Sequence, residues 1–290
     1  MILQTLKLIR IHHWVKNIAV FLPVFFSGQF IEIFDDNSIY KLVILFFAFC
    51  FASSIIYIIN DSIDVDKDRL HPVKSLRPIA SGFFTKKQAF FIAGVFFIVL
   101  SYFLFLLEDS IWFVVSYFIL NILYSFKLKN IAIIDVTCVS LGFLLRILAG
   151  GFAIGVIVSQ WMTIIVFLLS MSIAFAKRRD DLTIKNDNTI LRKSQSGYSI
   201  AFIDIAKGIC FSITLIAYIM YSISTEVIER LGTDKLYTTS LFVFIGIMRY
   251  LQISVVENKS GSPIKILSKD IFLQLVLLCW ILLFTYFIYF

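Results

Sequence analysis

The sequence predicts an all-α, polytopic membrane protein of about nine transmembrane helices, and three observations predict it. Of the 290 residues, 60% are hydrophobic and 32 are Phe, with a mean hydropathy of +0.92, more apolar surface than a soluble domain of this size can bury. The apolar residues fall into stretches of about 20, the length of helix that crosses a bilayer. Basic residues concentrate in alternate loops, as the positive-inside rule demands.

Taken in chain order, the candidate spans are 14–34, 39–59, 88–107, 110–126, 131–153, 160–176, 200–223, 236–257 and 270–290. The first is expected to be retained. Lys7 and Arg10 lead into His12-His13-Trp14-Val15-Lys16-Asn17, unlike the compact apolar core and small-residue cleavage site of a signal peptide. With the N-terminus in the cytoplasm, Lys67, Arg69, Lys74, Arg77, Lys86 and Lys87 share a side with Lys127, Lys129, Lys177, Arg178, Arg179, Lys185, Arg192, Lys193, Lys259, Lys265 and Lys269. The opposite loops hold Glu32, Asp35, Asp36, Glu108, Asp109, Glu226, Glu229 and Asp234. This places the protein in the inner or plasma membrane, and topology and anionic ligands account for the net charge of +7 without nucleic acid. No linker or 20–50-residue repeat interrupts the chain, so residues 1–290 read as one membrane domain. Cys50, Cys138, Cys210 and Cys279 lack ligand spacing and read as buried free thiols. Gly151-Phe152-Ala153-Ile154-Gly155 reads as a helix-packing pattern.

Between the second and third spans stands Asn60-Asp61-Ser62-Ile63-Asp64-Val65-Asp66-Lys67-Asp68. On a helix Asn60, Asp64, Asp68 and Asp61 fall at about 0°, 40°, 80° and 100°, so an amide and three carboxylates share a face from which Asp66 points away. Such crowding raises carboxyl pKa values, and a cation relieves it. Mg2+ takes one or two carboxylates together with substrate phosphate oxygens, so the spacing points to a Mg2+-diphosphate site at the membrane surface. The other reading is a solvated acidic helix end. Asp61, Asp64 and Asp68 are the candidate metal ligands and catalytic residues.

The loop that follows, Arg69-Leu70-His71-Pro72-Val73-Lys74-Ser75-Leu76-Arg77-Pro78-Ile79-Ala80-Ser81-Gly82, has prolines and a glycine to shape a turn around cations. Arg69, Lys74 and Arg77 are candidates for phosphate oxygens that a metal leaves exposed. His71 is suited either to a hydrogen bond to substrate or to a local role in the loop. A second loop opens with Lys177-Arg178-Arg179-Asp180-Asp181 and closes with Arg192-Lys193-Ser194-Gln195-Ser196-Gly197-Tyr198. Lys177 and Arg178, at the end of the sixth span, are candidate ligand-binding residues, whereas Lys185 and Lys193 read as basic anchors. The active-site loops therefore lie near 60–87 and 177–199. Asp135 and Arg146 fall about 20° apart on one helix face but three turns apart, so each needs its own partner. Charges inside a membrane usually face a cavity or a partner.

Asn60-Asp61-x-x-Asp64-x-x-x-Asp68 on the second predicted helix resembles the first aspartate motif of the UbiA superfamily of intramembrane prenyltransferases. Most members of that superfamily move a prenyl group from a polyprenyl diphosphate to an aromatic acceptor, and carry a second Asp-x-x-x-Asp motif after the sixth helix. Here Ile184 and Lys185 stand four residues beyond Asp180 and Asp181, so the second motif is missing. That departure is similar to the decaprenyl-phosphate phosphoribosyltransferase branch. The resemblance extends to Trp14-Val15-Lys16-Asn17, His71-Pro72-x-Lys74, Arg77-Pro78-Ile79-Ala80-Ser81-Gly82 and Tyr124-Ser125-Phe126-x-Leu128-Lys129. It continues through Gly142-Phe143-x-Leu145-Arg146, Ala149-Gly150-Gly151, Lys177-Arg178, Gly197-Tyr198 and Arg249-Tyr250, with Asp181 where the branch usually has Glu.

The resemblance implies a UbiA-like bundle around a central cavity, with Lys16, Asn17, Asn60 and Tyr124 joining Arg69, Lys74, Arg77, Lys177 and Arg178 as substrate-binding residues. It further implies Mg2+-dependent transfer of 5-phosphoribose from phosphoribosyl pyrophosphate to a polyprenyl phosphate, giving polyprenyl-phosphoryl-5-phosphoribose and pyrophosphate, at the cytoplasmic face of the bilayer. A homo-oligomer is compatible with this. Mg2+ on the three aspartates would neutralise the departing pyrophosphate. The acceptor phosphate is already ionised near pH 7, so no general base is required. Lys177 and Arg178 would face either the sugar 5-phosphate or the lipid phosphate. The alternative, prenyl transfer to an aromatic acceptor, rests on the acidic motif alone. A transporter would place its charges near the midplane on broken helices, whereas these cluster at one surface.

Overall fold

The computed structural model describes residues 1–28, 38–70, 73–183, 193–258 and 263–290, and every regular element among them is a helix. In chain order these are α1 (Ile2–Leu8), a 3-10 helix (Ile11–Phe21), α2 (Leu22–Ser27), α3 (Ser38–Ile63), α4 (Val65–Arg69), α5 (Lys86–Leu106) and α6 (Ile111–Phe126). Then follow α7 (Ile134–Ala153), α8 (Gln160–Thr183), α9 (Ile200–Ile223), α10 (Thr225–Leu231), α11 (Ser240–Leu251), α12 (Pro263–Lys269) and α13 (Ile271–Tyr289). Among the described residues eight helices are long and apolar enough to cross a membrane, against about nine expected over the whole chain, and the chain is an integral membrane protein.

The first expected span, 14–34, is the one that differs. Its described part is the 3-10 helix followed by α2, which has Pro23 in its first turn and stops at Gly28 in the left-handed region at φ 79°. Proline fits a helix start and glycine its left-handed end, so the local sequence makes a short helix where hydropathy suggests a long one. The sixth span also differs, because α8 runs on to Thr183 and so carries Lys177 to Asp181 within the helix. His71, Pro72, Glu32, Asp35, Asp36, Lys185, Arg192 and Lys259 lie outside the described residues. Of the four cysteines, Cys50, Cys138 and Cys210 are buried free thiols, and Cys279 is exposed rather than buried.

The described residues of Met1–Cys138 and Leu145–Ile157 form one compact unit. Its centre is α3, apolar on all sides as a helix enclosed by neighbours must be. Phe51 packs edge-on to Phe96 of α5 at 5.2 Å and stacks on Phe103 at 5.5 Å, while Phe49 meets Tyr117 of α6 edge-on at 5.3 Å. Thr85 and Gln88 close a capping box that starts α5. At Gly150 of α7 a Cβ would overlap the carbonyl oxygen of Val20 and come within 2.9 Å of its carbon, so only glycine admits this approach. Gly155, by contrast, lies beyond the end of α7 at φ 69° with open space around it, so the expected Gly151–Gly155 packing pattern is replaced by contact at Gly150.

The second unit comprises the described residues of Val139–Leu144, Val158–Lys185 and Lys193–Phe290. Ser199 caps α9 by accepting from the Phe202 amide at 3.1 Å, and Tyr198 stands between Phe175 of α8 and Phe202. Tyr218 of α9 shares a hydrogen bond with Thr239 at 2.6 Å and accepts from Trp280 of α13 at 2.8 Å. A π-helical turn, Gln252–Val256, continues α11.

Candidate active site

The acidic segment is helical with one break. Asp64 separates α3 from α4, yet its amide donates to Asn60 at 2.9 Å and its carbonyl accepts from Asp68 at 2.8 Å. Those two bonds keep helical spacing through the break. Asp61 and Asp68 are buried, Asn60 and Asp64 are half-buried, and Asp66 is exposed, with Arg69 Nη1 3.7 Å from its Oδ1. The face anticipated from the spacing is therefore present.

Each carboxylate on that face meets a cation of the same unit. Arg10 Nη2 donates to Asp61 Oδ1 at 2.6 Å. Arg77 Nη1 donates to that same oxygen at 3.1 Å and to Asp68 Oδ2 at 2.6 Å. Lys129 Nζ donates to both oxygens of Asp64, at 2.8 and 2.7 Å, and to Asn60 Oδ1 at 3.1 Å. Burial pushes the Asp68 carboxyl up, Arg77 and Lys74 draw it back, and Asp61 adds to the rise. Arg69 turns away from this cluster, donating to the Ala80 carbonyl at 3.4 Å, and so braces the loop. Lys74 and Tyr124 are half-buried.

Arg10 adopts the left-handed conformation at φ 53°, and from it the 3-10 helix runs antiparallel beside α3. Trp14 Nε1 donates to Ser54 Oγ at 3.0 Å, and Asn17 Nδ2 donates to Cys50 Sγ at 3.1 Å. With three residues per turn, positions three apart share one edge, and Trp14, Asn17 and Val20 form that edge. At its inner end Arg146 of α7 donates from Nε to Asn17 Oδ1 at 2.7 Å and from Nη2 to the Tyr117 hydroxyl at 2.9 Å. The same guanidinium lies over the rings of Tyr117 and Phe49, at 4.4 and 5.4 Å. Arg146 thus finds partners on other elements, while Asp135 is fully buried at the start of α7. Lys16 is half-buried beside this group, and burial with the neighbouring Arg146 and Arg10 pushes its ammonium down to about 8.

In the second unit Lys177 is exposed, whereas Arg178 and Arg179 are buried. Arg178 Nη1 lies 3.4 Å from Asp181 Oδ2, an oxygen that also accepts from Gln195 at 3.2 Å, so Asp181 links Arg178 to Gln195. Arg179 Nε donates to both oxygens of Asp204 at 3.0 and 3.2 Å, and Nη2 donates to Asn258 at 3.0 Å. The fully buried Lys207 completes this network, donating to Asp204 at 2.8 Å and to Ser254 of the π-helical turn at 2.7 Å.

A family model described as the UbiA prenyltransferase family matches residues 20–276. The chain belongs to that family. Among its relatives, the decaprenyl-phosphate phosphoribosyltransferase of Mycolicibacterium smegmatis is 31% identical over 285 residues, covering 95% of this chain and 89% of the relative. The protein of the same name from Corynebacterium glutamicum is 32% identical over 284 residues, covering 95% and 84%. The structure of a UbiA homolog from Archaeoglobus fulgidus bound to DMAPP and Mg2+ is 17% identical, with a TM-score of 0.71 over 98% of each chain, which shows the shared fold.

The donor set of this UbiA-family member fits a hard divalent ion. One atom, Arg77 Nη1, lies within hydrogen-bond reach of an oxygen from Asp61 and one from Asp68, so these oxygens converge on a point that a cation takes. Asp64 is turned to Lys129, and among the described residues no three His, Cys, Asp or Glu side chains converge as one group. Two carboxylates completed by phosphate oxygens are the usual environment of Mg2+. Arg10 and Lys129 escaped the sequence reading as site residues because a lone cation near a span end reads first as a topology signal. Their signal lay in the Leu128-Lys129 motif and in the short distance from Arg10 to the first span. Asp204 and Lys207 carried only their i, i+3 spacing in an apolar helix.

Proposed function

We propose that this chain transfers 5-phosphoribose from phosphoribosyl pyrophosphate to a polyprenyl phosphate at the cytoplasmic face of the cell membrane, with Mg2+ as cofactor. The observation that carries the reading is similarity over 95% of the chain to relatives bearing the name of that activity. The geometry supplies a route. Asp61 and Asp68 would hold Mg2+, Asp64 joining them when Lys129 turns to phosphate, and the bound ion would neutralise charge on the pyrophosphate leaving group. Arg77 and Arg10, released from the carboxylates, and Lys74 would then hold pyrophosphate oxygens, as guanidinium and ammonium groups do. An oxygen of the lipid phosphate forms a bond to C1 of the ribose as the C1–O bond to pyrophosphate breaks, and the electron pair leaves with pyrophosphate. Because the attacking phosphate is already ionised, the chain's residues position the reactants without having to remove a proton.

The test incubates purified protein and Mg2+ with labelled phosphoribosyl pyrophosphate and either a polyprenyl phosphate or the corresponding polyprenol, and in parallel with labelled polyprenyl diphosphate and an aromatic acid. Ribose label should enter lipid only with the polyprenyl phosphate. Equal turnover of the alcohol would overturn the mechanism, and prenyl label on the aromatic acid alone would assign the chain to the other activity of its family.

A further inference from the structure

Lys16 is the half-buried cation of the first unit that makes neither a hydrogen bond nor an ion pair with another described residue. Its charged neighbours, Arg146 and Arg10, are both positive. The carboxylate nearest to Arg10 cannot balance Lys16, because Asp61 is already shared by Arg10 and Arg77. Arg146 is fixed in place. Asn17, itself anchored on Cys50, holds its Nε, Tyr117 holds Nη2, and two aromatic rings flank the guanidinium. A pre-oriented guanidinium beside an unpaired ammonium, withdrawn from water, costs free energy that a bound dianion would offset. The seat of Arg146 is set apart from the carboxylates, since Cys50, the anchor of Asn17, is eleven residues from Asp61 on α3, about 16 Å along the helix.

We propose that Lys16 and Arg146 form a metal-independent pocket for a phosphate monoester, with Asn17 and Tyr117 as positioning residues. The inference rests on the proposed phosphoribosyl transfer for its choice of ligand, because both reactants of that reaction carry such a group: the acceptor lipid and the 5-position of the ribose. A diphosphate ester would instead belong with Mg2+ at the aspartates. The two pockets would then divide the phosphate groups of the reaction by chemistry, leaving the chain between them to hold the reacting carbon.

The experiment measures equilibrium binding of ribose 5-phosphate and, separately, farnesyl phosphate to the purified full-length protein in EDTA, for wild type, Lys16→Met, Arg146→Met and Arg146→Lys. Wild type should bind one of the two, and the ligand that binds names the source of the phosphate. Each Met variant should weaken that binding by roughly 10-fold or more, the loss of one charge-assisted hydrogen bond, and Arg146→Lys should recover part of it. The thermal melting midpoint of Lys16→Met, measured on the same samples, should match that of wild type, which shows that the variant is folded. No monoester binding by wild type in EDTA, or binding unchanged in both Met variants, would overturn the pocket. Transfer of labelled ribose by wild type is scored independently: its absence with the binding pattern intact would remove the proposed reaction and leave the pocket standing.

Discussion

Replacing Lys129 by Met tests whether basic side chains of the protein stand in for a metal on the acidic face. Lys129 Nζ lies 2.7 and 2.8 Å from the Asp64 oxygens, and the two side chains are only 6% and 14% exposed. Removing one partner of a buried ion pair costs about 3–5 kcal/mol, because the remaining charge is left unpaired. Asp64 keeps some exposure to water, so the low end applies, about 3 kcal/mol, or roughly 6 °C in melting midpoint for a chain of this length. Thermal melting in detergent with EDTA should show that loss for Lys129→Met and its recovery in Lys129→Met with Asp64→Asn, where neither charge remains. Millimolar Mg2+ should rescue the single variant and stabilise the double variant less, since Asp61 and Asp68 remain there but Asp64 does not. If the two substitutions add their losses, or Mg2+ leaves Lys129→Met where it was, Asp64 is not balanced by Lys129 and the stand-in argument fails.

Three further outcomes are expected. Asp61→Asn should nearly abolish transfer of labelled ribose to lipid while Asp66→Asn is mild, since Asp61 is buried under two guanidiniums and Asp66 is exposed; equal effects would refute the facial assignment. Gly150→Ala should destabilise the protein by about 1–3 kcal/mol through overlap with the Val20 backbone, and a melting midpoint equal to wild type would show that this contact does not form. The Lys16 ammonium, held down to about 8 from an ordinary 10.5 by burial and by the neighbouring Arg146 and Arg10, loses its charge as pH rises through 8. Phosphate-monoester affinity should therefore fall as pH rises through 8, and Lys16→Met should flatten that profile; an unchanged slope in the variant would assign the titration to another group.

Much of the fold was legible because a bilayer imposes one strong rule, an apolar helix of crossing length, and eight segments of the described residues obey it. The first segment did not. Its inward-facing residues, half-buried Trp14 and buried Asn17 and Val20, repeat every three positions, a period a 3.6-residue reading blurs, and Pro23 and Gly28 bound a helix that hydropathy alone merges with its neighbours. In the acidic segment one face was legible because i, i+4 bonds at Asn60, Asp64 and Asp68 survive the break between α3 and α4. Arg77, in the loop that follows, was legible as a site cation, but Arg10 and Lys129 were not, since they lie 51 and 65 residues from the carboxylates they hold. Arg146 was legible as a charge in need of a partner, yet the partner, Asn17, stands 129 residues away.

The 3-10 conformation of the N-terminal segment is what lets one strip of chain serve both polar stations. Arg10 reaches Asp61 while Asn17 reaches Cys50, so seven residues of the segment must match eleven residues of α3. Eleven residues of α-helix rise about 16 Å. Seven residues rise about 14 Å as a 3-10 helix, and the long Arg10 side chain covers the remainder. Wound as an α-helix, the same seven would rise only about 10 Å. Arg10 would then fall short of Asp61, or Asn17 would lose Cys50 and with it the seat of Arg146. The tighter helix, bounded by a left-handed Arg10 and by Pro23, therefore sets the distance between the acidic face and the seat of Arg146.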